Sequence, residues 1–307
     1  MKSEIEKTSS SQLAVIILNF FRYQDTLRCI NSVQRSLTAT FFIVDNSAEI
    51  NEKKNLERMV ANQSHIHLFF PEKNLGFAAG VNLALKEAAG AGFKSFLLIN
   101  NDAIFLKNSG IILIKAFKEH PVSLIAPAIE SNQCIHCESY YHKYLGLIAQ
   151  RSISEKRNKI PEKFGWVRYL SGCALAFDKV LLDKIGFLDE SFFMYGEDVA
   201  FSHMAQKKKM PVVLIEDKMV HHEGSHSALI SSFFYEYHMA RAHFLLTFKL
   251  LSNPYRQILS LFGKSVALSV RAYIRCFRYR TVAPLAALLL CSLPIKVRPR
   301  ILEKHNA

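Results

Sequence analysis

The sequence predicts an open, mostly parallel α/β sheet flanked by helices, followed by a helical, basic C-terminal extension. Three observations predict it. Apolar runs alternate with polar, helix-compatible stretches through the first 120 residues. The runs are continuous, as in strands buried on both faces, rather than alternating. Charge is uneven: of the formal +13, residues 241–307 carry +11 (12 Lys+Arg against Glu303) and residues 1–240 carry +2 (27 against 25).

The first strand is "LAVIILNF", residues 13–20, which ends at Asn19. A helix-compatible stretch over 24–36 leads to "TFFIVDNS", 40–47, a second strand ending at Asp45 and Asn46. A helix over about 51–63 precedes the third strand, "IHLFF", 66–70. "NLGFAAGVNLALKEA", 74–88, reads as a glycine-containing turn feeding a helix, and "SFLLIN", 95–100, as the fourth strand. Residues 130–165 are polar and aromatic and predict loops or short strands bordering a site. Residues 167–186 predict a strand and then a helix; another helix begins near Glu197, and a strand over 211–220 runs into the His-rich turn "HHEGSHS". From 231 to 277 the pattern is helical, broken at Asn253-Pro254. The expected organisation is a polar tail over 1–12, a catalytic unit over 13–228 and a basic helical extension over 229–307.

Half of the 307 residues are apolar, which excludes a disordered or fibrous chain. Six cysteines (Cys29, Cys134, Cys137, Cys173, Cys276, Cys291) lack a disulfide-scaffold rhythm, and "MKSEIEKTSSSQ" is too polar for a signal peptide. Both predict a reducing, cytoplasmic setting. The apolar run over 281–295 is interrupted by Pro284 and shorter than the roughly 20 residues of a membrane span. In "RQILSLFGKSVALSVRAYIRCFRYR", residues 256–280, Ile258, Leu261, Phe262, Ser265, Leu268 and Ala272 fall near one helical face, with Lys264, Arg271, Arg275 and Arg278 largely elsewhere. That pattern suits an anionic membrane surface; it also suits a helix packed on its own domain with a solvated basic face.

Asn19, Asp45 and Asp102 end three predicted strands on one inferred edge, where open α/β sheets bind ligands. Such a carboxylate can ligate Mg²⁺ or Mn²⁺, or can simply form a turn. Glu197 and Asp198 open a predicted helix, as ordinary capping residues or as a general base. Phe192, Phe193, Tyr195 and Phe201 could wall the site around them. The spacing of the histidines, and of the lone pair Cys134/Cys137, does not suit zinc; one histidine could complete a divalent-metal site or bind phosphate.

In order, "VIILNF", "FIVDNS", "NLGFAAGVN", "LLINNDA", "LSGCALAF", "FLDESFFMYGEDVAF" and "VHHEGSHS" resemble glycosyltransferase family 2, inverting enzymes of the glycosyltransferase A fold, over about 12–228. The resemblance is nearest to the rhamnosyltransferase-like branch of bacterial surface polysaccharide synthesis. It implies that Asn19, Asp45 and Asn46 hold the base and ribose of a nucleotide sugar, and that Asn74 and Gly76 line the nucleotide pocket beside Asn101. It implies Asp102 as a ligand of Mg²⁺ or Mn²⁺, His222 (or His221) on metal or phosphate, and Asp198 as catalytic base with Glu197 beside it. The metal motif reads Asn100-Asn101-Asp102, one carboxylate fewer than the family's usual Asp-x-Asp. The implied donor is dTDP-rhamnose, with UDP-sugars as alternative. The implied acceptor is a lipid-linked saccharide at the cytoplasmic face of the inner membrane, with the enzyme peripheral to that anionic surface and no nucleic-acid partner. The alternative from another class is a non-catalytic scaffold whose basic tail recruits a partner. A nucleotidyltransferase needs a Gly-rich basic loop after its first strand, where this chain has "NFFRYQDT".

Overall fold

The computed structural model describes residues 13–131, 134–152, 164–222, 232–293, 295 and 297. The polar tail expected over 1–12, the part of the His-rich turn after His222 and the boundary expected at 228 lie outside the described residues.

Four strands, β1 (Leu13–Asn19), β2 (Thr40–Asp45), β3 (Ile66–Phe69) and β4 (Ser95–Ile99), pair in the order β3-β2-β1-β4, all parallel. Helices α1 (Tyr23–Gln34), α2 (Ile50–Met59) and α3 (Phe77–Gly90) connect them. The chain builds outward from β1 to β3 and then returns to set β4 on the other side of β1. That reversal opens a crevice at the carboxyl ends of β1 and β4. Side chains alternate across each strand, and both faces are covered. Ala14, Ile16, Phe42, Val44, Phe96 and Leu98 pack into one core cluster. Val15, Ile17, Phe41, Ile43, Leu97 and Ile99 pack into another. Two buried faces turn a period-two pattern into a continuous apolar run.

The sheet continues through β5 (Ala103–Phe105), β6 (Leu124–Ser131), β10 (Ala174–Asp178) and β11 (Val212–His222), in the order β4-β10-β6-β11-β5. β10 runs antiparallel to β4 and β6, and β11 runs parallel to β6 but antiparallel to β5. Helices α4 (Ser109–Glu119), α5 (Lys179–Ile185) and α6 (Glu197–Lys207) fill the connections. The stretch expected as loops or short strands holds β7 (Cys134–His142) and β8 (Ile148–Ser152); β7 also pairs with β9 (Trp166–Tyr169). The single strand expected after residue 167 is two, β9 and β10. The turn between them carries Gly172, whose N–H is drawn to Asp198.

The extension folds as α7 (Phe233–Leu250), α8 (Pro254–Tyr279) and α9 (Ala283–Leu290). The Asn253-Pro254 break is the N-terminus of α8: Asn253 accepts the Arg256 N–H at 3.2 Å and Pro254 takes the first helical turn. The predicted faces of α8 are corrected. Leu268 and Ala272 are buried together with Ser260 and Lys264, while Ile258 and Phe262 of the same expected stripe are exposed. The basic residues do not form one solvated face. Lys264 is fully buried, donating to the His243 carbonyl at 2.7 Å and to Thr247 Oγ1 at 2.8 Å. Burial pushes its ammonium down to about 7. Arg275 pairs with Glu236. The outward face instead carries Ile258, Phe262, Val266, Val270, Tyr273 and Phe277. No described helix is long and apolar enough to cross a membrane.

Candidate active site

The crevice at the switch point is a cleft of ≈ 260 Å³. Asn46 reaches it from the end of β2, Asn100, Asn101 and Asp102 from the end of β4, and Asn74 and Gly76 from the turn before α3. His222 enters from the end of β11, and Glu197 and Asp198 from the start of α6. Eight of the ten site residues inferred from sequence therefore line one cavity.

Asn19 and Asp45 do not line it. They are spent on a hydrogen-bonded chain beneath its floor. Asn101 Nδ2 donates to Thr26 Oγ1 (3.2 Å), Thr26 to Asn19 Oδ1 (2.6 Å), and Asn19 Nδ2 to Asp45 Oδ1 (2.9 Å). Asn19 Nδ2 also donates to Glu52, whose carboxyl burial pushes up. Asp45 in turn accepts the N–H and hydroxyl of Ser47, so the turn-forming role open to it in the sequence is filled. This chain ties together the ends of β1, β2 and β4.

Asn46 does face the cleft, and it fixes the neighbouring turn. Its Nδ2 donates to the Gly76 carbonyl at 2.8 Å and its Oδ1 accepts the Leu75 N–H at 3.3 Å. Gly76 has φ +83°, and a Cβ there would meet the Phe193 carbonyl oxygen at 2.5 Å. Only glycine fits, and the close approach lets Phe77 N–H donate to that same oxygen. The loop before α6 is thereby clamped onto the start of α3.

Asp102 and His222 are 120 residues apart in sequence, yet His222 Nε2 stands 3.1 Å from Asp102 Oδ1. The register explains it, since His222 pairs with Ala103 across β11 and β5. His221 points elsewhere, to Glu130 Oε2 at 3.0 Å. Among the described residues no three His, Cys, Asp or Glu side chains gather as metal ligands. One carboxylate and one imidazole nonetheless fit a divalent cation that takes its remaining ligands from a diphosphate and water.

Glu197 is buried, and Asp198 is half-buried in the cleft wall. Burial pushes both carboxyls up, and the Asp198 charge helps push Glu197 to about 8. Asp198 accepts backbone N–H bonds from Gly172 (3.1 Å) and Val199 (2.8 Å), which stabilise its anion. Glu197 Oε2 has no hydrogen-bond partner among the described residues. The two backbone N–H donors favour a negative charge on Asp198 over one on Glu197. Of the four aromatics expected as a wall, Tyr195 lines the cleft; Phe192 and Phe201 are core residues, and Phe193 stacks on His238.

Behind the carboxylates lies a second cavity of ≈ 140 Å³, which shares Tyr195, Glu197 and Asp198 with the cleft and adds Tyr141, Tyr169 and His243. An outer groove of ≈ 430 Å³ shares Ile148, Tyr169 and Met239 with that chamber. Sequence reasoning did not single out Phe234, a cleft residue donated by the extension, because it stands in an ordinary helical pattern. Ser171, Gly172 and Cys173 were visible as the motif "LSGCALAF", without a role.

The match to known proteins agrees with this geometry. The glycosyl transferase family 2 model matches residues 14–186, more than half of the chain. The low-salt glycan biosynthesis hexosyltransferase Agl10 of Haloferax volcanii is 23% identical over 216 residues, covering 68% of this chain and 66% of that protein, just under two thirds of its length. GalNAc-T7, solved with UDP, GalNAc and Mn²⁺, superposes with a TM-score of 0.59 at 11% identity, over 76% of this chain and 47% of that one. The mannosyltransferase PcManGT from Pyrobaculum calidifontis, solved with GDP-Man and Mn²⁺, gives a TM-score of 0.53 at 12% identity, over 92% and 86%. The shared fold is the glycosyltransferase A fold. By the extent of the family match, the chain belongs to glycosyl transferase family 2.

Proposed function

We propose that this chain is an inverting glycosyltransferase that moves a sugar from a nucleoside-diphosphate donor to a hydroxyl of a lipid-linked saccharide. The observation that carries the reading is the meeting of Asp102–His222 and Glu197–Asp198 on the walls of one cleft at the sheet's switch point.

Asn46, Asn74, Gly76 and Asn101 line the nucleotide side, where backbone can approach closely. Asn19 and Asp45 act from below by fixing the strand ends. Asp102 and His222 would hold Mg²⁺ or Mn²⁺, which would supply Lewis-acid stabilisation of the charge on the departing diphosphate. The imidazole favours Mn²⁺ over Mg²⁺.

The acceptor lies on the chamber side of the two carboxylates. Asp198 takes the proton of the acceptor hydroxyl as that oxygen attacks the anomeric carbon. The bond from that carbon to the diphosphate oxygen breaks on the opposite face, so configuration inverts. The backbone N–H bonds from Gly172 and Val199 favour the Asp198 anion, while burial pushes Glu197 up to about 8, so Asp198 is the better base of the two.

The branch resemblance favours dTDP-rhamnose as donor. A UDP-hexose is the alternative. The apolar outer face of α8 holds the protein peripherally on the cytoplasmic face of the inner membrane, where lipid-linked acceptors are presented.

A thermal-shift screen of dTDP, UDP, GDP and CMP, each with and without Mn²⁺, tests the donor site. A melting-temperature rise that needs the metal with one nucleoside diphosphate is the expected result. No rise with any nucleotide, in folded protein, contradicts the proposal.

A further inference from the structure

We propose that Arg271 is an acceptor-binding residue, which reads the phosphate of a lipid-phosphate-linked acceptor at the mouth of the groove leading to Glu197 and Asp198. This rests on the transferase reading above and deepens its acceptor side.

Three cations of α8 point inward, and two of them are held by protein oxygens. Lys264 is held by the His243 carbonyl and Thr247. Arg275 is held by Glu236, the carboxylate that shares a small cavity with Arg271. Arg271 has no carboxylate partner among the described residues. Its Nη1 lies 3.5 Å from Nε2 of His243. That ring offers no counter-charge, because burial and the nearby cations push it down to about 3 and keep it neutral.

The guanidinium lies in a wall of mixed polarity that includes aromatic rings. It lines the ≈ 430 Å³ outer groove with Leu145, Ile148, Tyr169, Tyr235 and Met239. The groove shares Ile148, Tyr169 and Met239 with the chamber, and the chamber shares Tyr195, Glu197 and Asp198 with the cleft. A path of shared walls thus connects Arg271 to the carboxylates. On the other side of α8, Val270 and Tyr273 belong to the exposed apolar row. A lipid chain lying along that row brings its phosphate to the level of Arg271 and its saccharide into the groove. A guanidinium can fork two N–H donors onto one phosphate, whereas a neutral saccharide alone would leave the cation without a counter-ion.

The test measures binding of hexyl phosphate, inorganic phosphate and hexanol to the full chain by calorimetry in EDTA, which suppresses metal-bridged binding in the cleft. The variants are Arg271→Gln and Arg271→Lys, with melting curves as the check on folding. Hexyl phosphate should bind best, and Arg271→Gln should weaken it about tenfold or more, the scale of a lost charge-assisted pair. Arg271→Lys should fall between, and it decides alone if the Gln variant is unfolded. Unchanged affinity in the decisive variant overturns the assignment. Inorganic phosphate bound as tightly as hexyl phosphate overturns the lipid part. The metal-dependent nucleotide shift is recorded in parallel and should not change in either variant. If wild type shows no such shift, the transferase reading fails on its own; if the shift is present and Arg271 is inert, only this inference fails.

Discussion

Asp198 accepts backbone N–H bonds from Gly172 and Val199, while the adjacent and more deeply buried Glu197 leaves Oε2 without a partner among the described residues. The two neighbours therefore stabilise a negative charge unequally. Glu197 has an ordinary carboxyl value when the chain is unfolded and about 8 when folded. Between those values the folded state binds the extra proton, so stability falls as pH rises from about 4.5 to about 8. Glu197→Gln removes that fall. Melting curves of wild type and variant at pH 5 and pH 8.5 should show the variant gaining on wild type at the higher pH, by on the order of 1–4 kcal/mol. A difference independent of pH would contradict the raised Glu197 value.

The Asp102–His222 pair makes a separate prediction. Asp102→Asn and His222→Ala should each abolish the Mn²⁺-dependent part of the nucleotide thermal shift and leave any metal-independent part in place. Metal-dependent stabilisation that survives both substitutions would move the metal elsewhere in the cleft.

How much of this was legible in the sequence depended on the range of the interaction. β1, β2 and β4 read correctly because burial on both faces leaves a local mark, an unbroken apolar run with a polar residue at its end. Glu197 and Asp198 were visible because they open a helix after a glycine. The meeting of Asp102 with His222 was not written locally, since it follows from a strand register set across 120 residues. For Asn19 and Asp45 the sequence placed the residues at the right edge but not their partners, which are each other, Thr26, Ser47 and Glu52. On α8 the helix was legible and its orientation was not. Lys264 can be buried only because the His243 carbonyl and Thr247 on α7 receive it.

That orientation bears on membrane binding. Phe262, Tyr273 and Phe277 are 70%, 63% and 68% exposed on the outer face of α8. Replacing all three by serine should cost the fold little, within about 0.5 kcal/mol per site, because little packing is lost. It should weaken binding to phosphatidylglycerol-containing vesicles by about tenfold or more. Point changes serve better here than deletion of the extension, since α8 also packs against Tyr141 and Lys143 through Lys264 and Ser260. A triple variant that sediments with vesicles as wild type does would remove the role of this face.

Asp198 is the proposed base of a sugar transfer in this cleft. The most direct measurement is release of nucleoside diphosphate from the donor found in the screen, for wild type and Asp198→Asn side by side, with a lipid-linked saccharide acceptor. The expected result is acceptor-dependent release by wild type, and a loss of about 10²- to 10⁴-fold in the variant while its nucleotide thermal shift is retained. Near-normal release by Asp198→Asn would contradict it.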